Sequence, residues 1–77
     1  MTTTSRPVAS GYLLWLRGPS GALSASPVAP TGRLGPAGHP LYTGCDGRLL
    51  VEITEEGRHR ALARPTHTRI LTVARVG

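Results

Sequence analysis

Turn-forming residues cut the second half of this chain into pieces that suit β-hairpins. After Pro40 the order is Leu41 to Cys45, Asp46-Gly47, Arg48 to Thr54, Glu55-Glu56-Gly57, Arg58 to Arg64, Pro65, and Thr66 to Val76. Asp-Gly between two strand-like runs is a strong hairpin signal, because a type I′ turn needs positive φ at both central residues. Leu49, Val51 and Ile53 then share one face, and Leu50, Glu52 and Thr54 the other. Thr54-Glu55-Glu56-Gly57 predicts a type I turn with Gly57 left-handed in a bulge. Pro65 removes a ladder donor and marks a corner. The final stretch is rich in β-branched residues: Thr66, Thr68, Ile70, Thr72, Val73 and Val76. Arg58 to Arg64 also contains good helix formers, but Gly57 and Pro65 limit a helix there to about two turns.

The first half reads differently. Gly11 to Arg17 predicts a strand, with Tyr12, Leu14 and Leu16 on one face and Leu13, Trp15 and Arg17 on the other. Both faces are apolar, so the strand is either central or covered by a partner. Residues 18–38 hold four prolines and five glycines, which predicts one long loop, a feature that in compact domains goes with function or disorder. Residues 1–10, polar and broken by Pro7, read as an extended N-terminal arm. The expectation is an all-β domain over residues 11–77: a small, partly open five-stranded barrel with one long Gly/Pro-rich loop. Its layout is similar to SH3-like barrels, in which a long first loop precedes a three-strand meander and a short closing strand. The likeness is architectural, since the acidic and aromatic residues that grip proline-rich ligands in SH3 domains are absent from this loop.

Seventy-seven residues make one domain, and a chain of that size buries only about 60–65% of its unfolded surface. Cys45 is the single cysteine, so no intrachain disulfide forms, and with no Phe, one Trp and two Tyr the aromatic core is thin. Support from a neighbouring subunit is therefore expected. The longest apolar run, Tyr12 to Leu16, is far short of the roughly 20 residues of a membrane span. It is also shorter than the core of a signal peptide, about 7–15 residues. We expect no export signal, and a cytoplasmic or virion location.

Catalytic chemistry finds few candidates. His39, Cys45, His59 and His67 lack the paired spacing of a zinc site, and Cys45 has no base or orienting group beside it in sequence. Glu55 and Glu56 fall in a turn, while Glu52 is expected to pair with Arg60 or Arg58 across the sheet. The Gly-x-x-Gly at 35–38 runs into His39-Pro40, which cannot open the helix that a phosphate loop needs. No enzyme, no cofactor and no metal is the expectation.

Two binding classes remain. The net charge is +5, every one of the nine basic residues is Arg, and the acids are only Asp46, Glu52, Glu55 and Glu56. Lys, Asn and Gln are absent, a bias of GC-rich coding that discounts the arginines in part. The first class is a structural or interaction subunit of a larger homo- or hetero-oligomer, for example a decoration, head–tail or tail protein of a phage virion. Its interface would use Leu13, Trp15, Val28 and Leu34. The alternative is a nucleic-acid binder whose Arg58, Arg60, Arg64 and Arg69 form a patch over paired strands 58–64 and 67–76. Tyr12, Trp15 or Tyr42 would then stack on bases.

Overall fold

The computed structural model describes residues 11–75. Six strands form one antiparallel sheet: β1 Tyr12–Arg17, β2 Leu23–Leu34, β3 Pro40–Gly44, β4 Leu49–Ile53, β5 His59–Ala63 and β6 Arg69–Arg75. They run in the order β5-β4-β3-β2-β1-β6, and the sheet curls into a half-barrel. The all-β, partly open architecture is as the turn pattern predicts, with six strands in place of the expected five. The N-terminal arm expected over residues 1–10 lies outside the described residues.

The expected loop over 18–38 is a correction, because most of it is β2, the longest strand. Residues 23–28 pair with β1, and Ala29, Pro30 and Leu34 pair with β3. Each half of β2 is therefore bonded on one side only. Pro27, opposite Leu13, and Pro30, opposite Tyr42, lack an N–H but need none where the strand has a free edge. Gly32, with φ of 85°, lies in the register shift between Pro30 and Leu34, which helps the strand bend from one half of the sheet to the other.

The turns follow their residues. Asp46 (φ 55°, ψ 38°) and Gly47 (φ 89°) are both left-handed, and the Arg48 N–H donates to the Cys45 carbonyl at 3.1 Å. The next turn closes with the Gly57 N–H on the Thr54 carbonyl at 3.0 Å, with Gly57 at φ 88°. The expected strand-or-helix segment Arg58 to Arg64 holds strand β5, His59–Ala63, and no helix. Beyond it, the Thr68 N–H donates to the Pro65 carbonyl at 3.2 Å and leads into β6.

Inside the curl, alternation places Tyr12, Leu14 and Leu16 of β1 beside Val28, Tyr42, Leu49, Val51 and Ile53. Ile70, Val73 and Cys45 pack on the margin of this core. Among the described residues no helix is long and apolar enough to cross a membrane.

Candidate functional site

The outer surface of β1 is the candidate site. Leu13 is half-buried and Trp15 is 41% exposed, although β1 is bonded on both edges. Directly paired residues of antiparallel strands point to the same side. Leu13 therefore sits between Pro27 and Ala74, and Trp15 between Ala25 and Thr72. Arg17 closes the row between exposed Leu23 and Arg69. The result is an apolar patch around an indole on the outside of the curl, with two arginines at one end. Burying an exposed tryptophan is a large hydrophobic gain, so a face built this way favours a partner.

The other two residues of the expected interface fall elsewhere. Val28 is 4% exposed, a core residue opposite Tyr12. The alternation along β2 turns it inward, so it offers nothing to a partner. Leu34 is 66% exposed but lies at the far end of β2, seven positions beyond Pro27, or roughly 23 Å of strand.

The expected basic patch also changes. Its two strands do not pair: β5 and β6 occupy opposite edges of the sheet. A bulge disturbs the alternation as well. Val51 faces Ala61 and Leu50 faces Ala63, leaving Leu62 without a partner. The shift sets Ala63 on the face of Leu50, so Arg64 no longer shares the face of Arg58 and Arg60 as expected. Arg69 belongs to the Arg17 end of the apolar patch.

Glu52 is the residue whose role the sequence does not reveal. It is 3% exposed. It stands opposite Arg60 as expected, yet its carboxylate turns to the β2–β3 loop. Oε2 accepts the backbone N–H groups of Ala37 and His39, both at 3.0 Å. The Gly-x-x-Gly segment thus does hold a carboxyl group, one supplied by this chain. Oε1 has no hydrogen-bond partner and lies against Gly35, where a Cβ would stand 2.6 Å away. A Cα hydrogen fits that gap and leaves at most a weak C–H···O contact.

At one end of the curl, the Tyr12 and Tyr42 rings meet edge-on at 5.0 Å and 87°. Burial pushes the Tyr42 phenol above its ordinary 10.0, Tyr12 adds to the rise, and Arg75 opposes it. The folded chain therefore keeps this proton after the unfolded chain has released it. Stability from this group is complete below pH 10.0 and is lost as pH rises through the higher folded value. Thermal melts between neutral and strongly alkaline pH should show that decline, and Tyr42→Phe should flatten it. An equal decline in the variant would assign the effect to another group.

Among the described residues, no three His, Cys, Asp or Glu side chains gather as a metal-binding group. Cys45 contacts Ser26, with Sγ 3.4 Å from Oγ.

DUF6296, described as a family of unknown function, matches residues 6–76. The chain belongs to this family. The DUF6296 match covers all six strands, the Trp15 face and the loop over Glu52. No curated protein and no solved structure matches the chain.

Proposed function

We propose that this DUF6296 chain is a non-enzymatic assembly subunit that docks on a second copy of itself through the outer face of β1. The observation that carries this reading is Trp15, exposed at the centre of an apolar three-strand surface. A central strand with one solvated face ordinarily alternates apolar with polar residues, and β1 does not. Two such faces can stack as sheets do, about 10 Å apart.

The charges favour a particular arrangement. Arg17 and Arg69 lie at one end of the patch, and Leu13, Pro27 and Ala74 at the other. A two-fold axis lying in the interface, perpendicular to β1 at Trp15, sets the arginine end of each copy over the apolar end of the other. Like charges then stay apart, and the contact is isologous, as in most homodimers.

Sedimentation equilibrium tests the reading. The native chain should associate with little dependence on salt, and Trp15→Glu should be monomeric while keeping the circular dichroism of the fold. A native chain that stays monomeric at every concentration would sink the proposal.

A further inference from the structure

We infer a second binding site on this chain: the open seam between β5 and β6, which takes an acidic segment in extended conformation. The site runs along strand edges, and β6 is the one strand it shares with the Trp15 surface.

The seam follows from the strand order. A sheet that curls this far could close by pairing its first and last strands, yet β5 pairs with β4 and β6 with β1. Among the described residues, neither carries a strand on its other side. Each therefore presents unpaired backbone N–H and C=O groups, the template for adding a strand. The strands are tethered at both ends of the seam. The corner 64–68 joins them at one end, and at the other an Arg75 Nη2 donates to the Glu55 carbonyl at 3.3 Å. A cavity of about 520 Å³ lies along Ala61 to Thr68, and one of about 380 Å³ between Glu55–Gly57 and Val73–Arg75.

Charge selects the occupant. From Arg58 to Arg75 the sequence holds five arginines and no acid, and all five are exposed. Apolar contacts are available too: Leu62 and Leu71, each skipped by the register of its strand, are exposed. An extended segment alternating acidic and apolar residues meets both features, with its backbone on a free strand edge. A nucleic acid meets only the charge. Base stacking needs aromatic surfaces beside the arginines, but Tyr12 and Tyr42 are buried and Trp15 is on the outer face of β1.

The probe is a peptide as long as β6, alternating glutamate and valine and blocked at both ends, titrated into the isotopically labelled full chain. Backbone amides of β5 and β6 should shift while the Trp15 indole N–H stays in place. Arg60→Ala and Arg64→Ala should each weaken binding roughly two- to fivefold. N-methylation of alternate peptide nitrogens preserves the charge but removes ladder donors, and should weaken binding by about tenfold or more. Equal affinity of the methylated peptide, no shift in β5 or β6, or a shift confined to the Trp15 face would each overturn the inference. Tighter binding of a thymidine oligonucleotide at the same residues would overturn it in favour of nucleic acid. Self-association, read separately by sedimentation, is unaffected by any of these results.

Discussion

Gly35→Ala should destabilise the fold by about 2–3 kcal/mol, a large share of the roughly 4–12 kcal/mol expected of a domain this size. The added Cβ would stand 2.5 Å from Glu52 Cδ and 2.6 Å from Oε1, closer than packed atoms tolerate. A carboxylate at the end of a side chain could ordinarily swing aside. This one is buried, and Oε2 holds the Ala37 and His39 N–H groups. Moving it breaks two hydrogen bonds and unseats the loop between β2 and β3. Glu52→Ala removes the same bonds and should cost about 2–3 kcal/mol on its own. The two losses should not add, because the alanine at 35 has nothing left to strike once the carboxylate is gone. Urea unfolding of both single variants and the double variant supplies the cycle. A double variant near Glu52→Ala alone supports the contact, whereas additive losses would mean that the substitution at 35 acts through the backbone.

Much of this fold was legible because local chemistry and tertiary structure agree. Asp46-Gly47, Gly57 and Pro65 each punctuate the chain at a turn or corner, and Tyr12, Leu14 and Leu16 alternate inward as read. The failures have physical reasons. Proline and glycine usually interrupt strands, so residues 18–38 read as a loop. In β2 the prolines survive because each half has a free side, a property of the whole sheet that no local window contains. Val28 reads as a surface residue of that loop, and the strand carries it into the core. The arginine row failed at Leu62, since one bulged residue disturbs an alternation that is otherwise strict. For Glu52, alternation yields the right face and the wrong partner. A cross-strand arginine is the default, and only the folded position of the 35–39 loop shows that backbone donors are nearer.

Neighbouring residues of β1 should respond in opposite ways to the same substitution. Leu14 is 0% exposed, and its direct partners across the sheet are Ser26 and Val73. Ser26 is small and already contacts Cys45, so little is available to collapse into the space that Leu14→Ala would leave. The cost should fall in the range of about 2–5 kcal/mol seen for buried leucines, which lowers Tm by roughly 10 °C or more in a domain this small. Leu13→Ala and Trp15→Ala act on the outer face and should each cost the monomer about 1 kcal/mol or less. Protein concentration separates the two classes further. If β1 docks on a second copy, the native chain gains stability as concentration rises, because only folded chains associate. Trp15→Ala should lose that dependence, while Leu14→Ala should keep whatever remains of it in the folded fraction. Melts at low and high concentration would show both effects together. A Trp15 variant whose Tm still climbs with concentration would move the self-association to another surface. The seam is the next place to look, since its unpaired strand edges are a known route by which sheets join.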